Sequence, residues 1–281
     1  MAIILTKKEV NDFEKKLRAE ERGAHTVEKY VKCITVYAEF LKGRVANKNT
    51  AIEWKKALID KGFAPQTVNG YLAAVNKFFS FKNHSDWRIK YLVVSKKLFR
   101  EDNRDLTRKE YLKIIEALKK NPKTQKLLLL VQTICSTGIR VSELKYITLE
   151  NAIKGKAEIS LKGKIRTILL PAALSKQLIT YAKEKNITSG EIFVTRNKNP
   201  MDRRHIWREM KKASKYAGIE TSKVYPHNLR HLFAKTFYDK CHDLVRLSDV
   251  LGHSSIDTTR IYLISTGKEH RTTLDKLSLV S

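Results

Sequence analysis

The chain has 281 residues and carries 56 Lys and Arg against 29 Asp and Glu, a formal net charge of +27, with 42% hydrophobic residues. That is long enough for two domains and too apolar for a disordered basic tail, and no apolar run approaches the roughly 20 residues of a membrane span. Met1–Leu5 is too short for the apolar core of a signal peptide, and Cys33, Cys135 and Cys241 form no CxxC pair, which argues against a disulfide framework or a structural zinc site. A folded cytoplasmic protein binding a polyanion is expected, nucleic acid first, with an anionic membrane or the ribosome as rivals.

Taken in chain order, the first 97 residues read as a small helical domain. "LTKKEVNDFEKKLRAEE" offers Thr6 as a cap, with Glu9 at the capping-box position. "TVEKYVKCITVYAEFLKG" repeats Val27, Tyr30, Val31, Ile34, Tyr37 and Leu41 at helical intervals and ends at Gly43. "TAIEWKKALIDKG" and "APQTVNGYLAAVNKFFSF" predict two more helices, the second capped near Thr67. Residues 98–105 mix charges and hold few apolar side chains, so the interdomain linker falls there. "LTRKEYLKIIEALKK" restarts a helix on a Thr107/Glu110 box, and "TQKLLLLVQTICSTG" is apolar nearly all round, a buried helix ending at Gly138.

The texture changes at 151–171. "AEISLKGKIRTILLP" sets Ile159 and Leu161, then Ile165 and Ile168, around a turn near Gly163, a β-hairpin. Helices are expected again at 173–185, 202–217, 227–240 and 243–251, with a short one in "RTTLDKLSLV". The fold class is therefore mainly α with a small β-hairpin, α+β, the second domain running over 106–281.

Within "VYPHNLRH", His227 lies three residues from Arg230 and four from His231, so all three share a helix face. A zinc pair is one reading, but Asn228 stands where a zinc protease carries Glu, and no third ligand is evident. A solvated polar helix start is the second. An anion site is the third: a helix N-terminus presents unpaired N–H groups, Arg offers a planar fork to phosphate, and His moves protons near neutral pH. "STGIRVSEL" adds Arg140 with Glu143 three residues on, and "LGHSSIDTTRIY" adds His253 and, nine residues later, Tyr262.

"TGIRVSEL", a hairpin lysine, "HNLRH" and "LGHSSIDTTRIY", in that order, resemble the tyrosine recombinase (integrase) family across 105–270. The resemblance implies a SAM-like core-binding domain over 1–97 and a catalytic domain over 106–281, with an exchange tail at 263–281. It implies that Arg140 and Arg230 grip the scissile phosphate, that Tyr262 is the nucleophile and that His227 assists proton movement or orients the phosphate. His253 would donate to the phosphate from the opposite side, and His231 would support. Glu143 would hold Arg140, with His227 as a second candidate for its carboxylate. Lys162 would protonate the leaving 5′ oxygen, with Lys164 as the other candidate.

Physical chemistry makes that assignment coherent. Two arginines neutralise the charge that grows on a pentacoordinate phosphorane, so no metal or cofactor is expected. A free phenol keeps its proton to about pH 10 and attacks poorly unless a base or a cationic field eases the proton off. The leaving sugar oxygen needs an acid. The phosphotyrosyl link stores the bond energy, so a second 5′-hydroxyl reverses the step.

The expected partner is double-stranded DNA with short inverted core sites, bound with steep salt dependence and clamped by both domains. Lys164, Arg203, Arg204 and Arg208 are candidate DNA contacts, as base readers or as backbone contacts. A free monomer assembling into a homotetramer on DNA, with no membrane attachment, is expected; the tail docks on the neighbouring protomer or closes on its own core. Integration of a mobile element is the first biological role, on a simple core site since an arm-binding domain has no room in this length. Resolution of chromosome dimers by an Xer-type enzyme is the second. A type IB topoisomerase and a catalytically inactive DNA-binding regulator are the rivals from other classes.

Overall fold

Thr6 starts the first helix by accepting a hydrogen bond from the Glu9 amide, while the Glu9 carboxylate pairs with Lys82 rather than closing the capping box. This is a computed structural model of the chain, and it describes residues 3–94, 105–161, 164–195, 197, 199–253, 255–263 and 275–276. The expected linker, apart from Asp105, the expected terminal helix, apart from Asp275 and Lys276, and the hairpin turn at Lys162 and Gly163 lie outside the described residues. The chain divides into two units, Met1–Lys97 and Leu98–Ser281.

The first unit packs α1 (Lys7–Ala19), α2 (Ala24–Leu41), α3 (Lys48–Asp60) and α4 (Pro65–Phe81) around one aromatic-rich core. Phe13, Tyr37, Trp54, Phe78 and Phe79 fill its centre. The Tyr37 hydroxyl pairs with Thr50 Oγ1 at 3.1 Å, which satisfies a buried polar group; burial pushes its proton loss up to about 12. Two departures from the sequence reading have local causes. α4 starts at Pro65, whose ring presets the helical φ at the first position, so Ala64 and not Thr67 is the cap. Ile3–Ile4 (β1) pairs antiparallel with Val45–Ala46 (β2), a ribbon too short to show a period.

The second unit is built on α6 (Gln125–Thr137), which packs against α5 (Arg108–Lys119), α8 (Ala172–Glu184) and α10 (Pro226–Cys241). That explains its apolar character on most sides: Leu127, Leu129, Leu130, Val131 and Ile134 are all buried. The Thr107/Glu110 box forms as expected, with both reciprocal bonds present. α7 (Leu149–Lys154) leads into the hairpin of β3 (Lys156–Leu161) and β4 (Lys164–Leu169). α9 (Arg203–Tyr216), α11 (Leu244–Leu251) and α12 (Ile256–Arg260) are the further α-helices used below. Among the described residues no helix is long and apolar enough to cross a membrane.

The hairpin register corrects one expectation. Ile159 faces Arg166 and Ala157 faces Ile168. Ile159, Ala157 and Ile168 are buried, whereas Ile165 is 76% exposed. Ile165 and Ile168 are three apart and cannot share a face in a structure of period two. The inward set on β4 is Arg166 and Ile168, with Leu170 just beyond the strand, so an arginine stands where an aliphatic residue was expected.

Candidate active site

Gly138 ends α6 in the left-handed conformation, φ 63°, and turns the chain so that Arg140 emerges beside a short 3₁₀ segment, Val141–Tyr146. Glu143, one turn on and 1% exposed, accepts from Arg140 Nη1 at 2.8 Å and from the Arg140 amide at 2.9 Å. Its other approach comes from the hairpin: Arg166 Nη1 donates to Oε2 at 3.2 Å. The Glu143 carboxylate thus serves Arg140 and Arg166.

α10 opens with Pro226 at its first position, which places His227 at the exposed helix start and Arg230 one turn deeper, 2% exposed. The Arg230 guanidinium is held by backbone: Nη1 donates to the Gly138 carbonyl, and Nη2 to the Leu251 carbonyl at 2.9 Å. Its remaining donors point at the other expected site residues. Nη2 reaches His253 Nε2 at 2.9 Å, and Nε reaches the Tyr262 hydroxyl at 3.4 Å, a long contact.

Tyr262 sits in a 3₁₀ turn, Ile261–Leu263, directly after α12, and is 5% exposed. Three imidazoles surround its ring: His253 stacks on it at 5.7 Å and 7°, with His227 at 5.6 Å and His231 at 5.3 Å. His231 is buried and also lies 3.8 Å from Asp105.

Charge is out of balance here. Three arginines converge with Glu143 as the carboxylate between them, which leaves a cationic site suited to a phosphate. Burial, then Arg140, holds Arg230 below the ordinary guanidinium range, and burial lowers Arg166 to about 10; both stay protonated at neutral pH. Burial, followed by the fields of Arg230, Arg140, Arg166 and His227, lowers His253 to about 4, so this ring is neutral.

The tautomer follows from chemistry. A guanidinium only donates, so His253 Nε2 must accept from Arg230, and the ring proton is on Nδ1, 2.8 Å from the Thr259 hydroxyl.

A cleft of about 430 Å³ opens beside these groups, lined by Arg140, His227, Arg230 and Tyr262 and, on its other wall, by Phe193, Met201 and Arg203. Arg203, Arg204 and Arg208 are all exposed on α9. Arg140, Glu143, His227, Arg230, His253 and Tyr262 are therefore brought together; Lys162 and the Lys164 side chain lie outside the described residues. Sequence reasoning missed Arg166. Counting back by twos from Ile168 along β4 would have put it on the buried face. Among the described residues no three His, Cys, Asp or Glu side chains gather at metal-ligand distances.

A mainly helical unit that gathers three arginines, three histidines and a tyrosine beside a cationic cleft is suited to chemistry on a phosphodiester. Residues 104–269 match the phage integrase family, and residues 10–85 match the phage integrase N-terminal SAM-like domain. The chain belongs to the phage integrase family and is a tyrosine-type site-specific recombinase. Tyrosine recombinase XerA of Pyrococcus furiosus is 28% identical over 280 residues, 96% of this chain and 94% of that protein. The fold is shared with XerH recombinase bound to its difH substrate (TM-score 0.69, 22% identity, 96% of this chain and 84% of that one). It is shared too with a lambda integrase tetramer bound to a Holliday junction (TM-score 0.71, 19% identity, 93% and 77%).

Proposed function

We propose that this recombinase cuts and rejoins double-stranded DNA at short inverted core sites through a 3′-phosphotyrosyl intermediate. The observation that carries this reading is the approach of the Tyr262 hydroxyl to Arg230 Nε at 3.4 Å inside the arginine cluster. In this reading Arg140 and Arg230 bind the non-bridging oxygens of the scissile phosphate and neutralise the charge that grows as phosphorus becomes pentacoordinate. The Tyr262 oxygen attacks phosphorus, and its proton passes to His227, the exposed imidazole 5.6 Å from its ring. The P–O5′ bond breaks, and the sugar oxygen takes a proton from Lys162, the candidate acid of the hairpin turn, with Lys164 second. His253 donates to a phosphate oxygen from Nε2 after the ring adopts its other tautomer, with Thr259 then donating to Nδ1. No metal or cofactor takes part in this scheme.

The 1–97 unit serves as the core-binding domain, and the 106–281 unit, with a 263–281 exchange tail, as the catalytic one. Four protomers assemble on two sites, as in the lambda integrase tetramer on its junction. Lys164, Arg203, Arg204 and Arg208 contact the duplex, and the protein works where that DNA is, in the cytoplasm.

Integration of a mobile element is the role proposed first. Xer-type resolution of chromosome dimers is the second, favoured by the match to XerA along 94% of that protein's length.

A nicked suicide substrate tests the chemistry. A covalent protein–DNA adduct forms with the wild type and is absent with Tyr262→Phe. An adduct that persists in Tyr262→Phe would overturn the assignment.

A further inference from the structure

Arg166 is not among the residues assigned to the reaction, yet it is built into the site more deeply than Arg140. Its side chain is 10% exposed against 40% for Arg140. It donates to Glu143 Oε2, the oxygen that also accepts the Arg140 amide. Its stem lies against Gly252: a Cβ on that residue would fall 2.9 Å from Arg166 Nε and 3.2 Å from Cγ. Gly252 has φ 61° and immediately precedes His253, and its carbonyl faces Arg140 Nη2 at 3.5 Å. Arg166 Nε and Nη2 are buried with no hydrogen-bond partner among the described residues.

An ion pair serving only to fasten a hairpin would be expected to satisfy its donors. Here one end of the guanidinium is spent on Glu143, and the rest leaves positive charge unneutralised behind the phosphate hollow. Those buried nitrogens are out of reach of solvent, so they do not touch a substrate directly. Resting on the function proposed above, we infer that Arg166 is a positioning residue of strand cleavage. From the buried face of the hairpin it shares Glu143 with Arg140 and, packed against Gly252, holds the Arg140 guanidinium and the Gly252–His253 turn where the phosphate is received.

The test is single-turnover cleavage of a nicked suicide substrate at saturating protein, alongside the non-covalent Kd on intact duplex. Arg166→Gln keeps the Kd and loses about 100-fold in cleavage rate, the scale of a misplaced catalytic group. Arg166→Lys, which keeps a cation for Glu143 without the fork, falls between Gln and the wild type. Combining Arg166→Gln with Glu143→Gln costs less than the product of the two single losses, because both act through one carboxylate. A wild-type rate in Arg166→Gln, a loss confined to Kd, or losses that multiply would overturn the inference. Should Arg166→Gln not fold, Arg166→Lys decides alone: a slower rate at unchanged Kd supports the role, and a wild-type rate ends it. A wild-type protein that never forms the Tyr262 adduct would instead defeat the recombinase chemistry itself.

Discussion

His253 accepts a hydrogen bond from Arg230, Nη2 to Nε2 at 2.9 Å, and so is held as a neutral ring with its proton on Nδ1. The nitrogen proposed as the donor to the phosphate is therefore engaged as an acceptor. The same guanidinium also faces the Tyr262 hydroxyl, the proposed nucleophile, at 3.4 Å. In the proposed reaction a phosphate would compete with both partners for Arg230, which would couple its entry to release of the tyrosine and to the change of histidine tautomer.

The first prediction concerns acid. His253 is lowered from 6.5 to about 4 by burial and by Arg230, Arg140, Arg166 and His227. Its folded value lies below its unfolded one, so between them the unfolded chain binds more protons, and the stabilising contribution present above about pH 6.5 is lost as pH falls toward 4. Denaturant midpoints of wild type and His253→Gln, compared across that range, converge as the pH falls. Imidazole nitrogen shifts report the Nδ1–H tautomer at pH 7. Two parallel midpoint curves would refute the assignment.

The second concerns Gly138. Its φ of 63° favours glycine, and a Cβ there would fall 2.5 Å from Phe233 Cδ1 and 2.9 Å from Leu251 Cδ2. Its carbonyl also accepts from Arg230. Gly138→Ala combines left-handed strain with a core clash, each of about 1–3 kcal/mol. Chemical denaturation should show a loss of at least that size, and the surviving folded protein should cleave more slowly because Arg230 has lost its seat. An alanine protein as stable and as fast as wild type would show that the turn is not needed.

The third concerns charge. A surplus of 27 cations spread over two domains predicts that DNA binding collapses with salt, by about 10³–10⁵ between 50 and 200 mM if 6–10 phosphates are contacted. Arg204, exposed on α9, separates two kinds of contact. Arg204→Ala reduces the slope of log K against log salt by about one and leaves sequence preference alone if it meets backbone phosphate. Relaxed preference at a single base pair would mark it as a base reader instead.

Features legible in the amino-acid sequence separate from hidden ones by the range of the interactions that set them. A periodicity of 3.6 marks α2, which buries one face, and an apolar character nearly all round marks α6, which is packed on several sides. Thr107 and Glu110 announce α5 because a capping box is local chemistry. Arg140, Glu143, His227, Arg230, His253 and Tyr262 are readable as motifs, and tertiary packing brings them within contact range. Arg166 stays hidden because a charge on a strand reads as solvent-facing until the register is known. Register is a tertiary fact, set by Ala157, Ile159 and Ile168 turning inward together. The tautomer of His253 is equally out of reach, since it depends on a guanidinium 23 residues away.

The last prediction follows from where the proposed nucleophile rests. Tyr262 is 5% exposed, packed by Ala234, Leu247 and Leu251 of its own chain, with its hydroxyl facing its own Arg230. Reaching a neighbour's phosphate would require pulling the ring out of that packing and past His253, which stacks on it. Cleavage should therefore occur in cis, within the protomer that supplies the arginines. Mixing Tyr262→Phe protein with Arg230→Gln protein on a nicked substrate distinguishes the two arrangements. In cis, neither protein carries a whole site and the mixture forms no more adduct than its components. In trans, the Arg230→Gln protomer donates its tyrosine to the intact pocket of its partner, and adduct appears at up to half the wild-type level or less, since only mixed assemblies are competent. Recovery of adduct in the mixture would mean that the ring leaves its own core on DNA, and the resting contact with Arg230 would then be a storage position rather than the start of the attack.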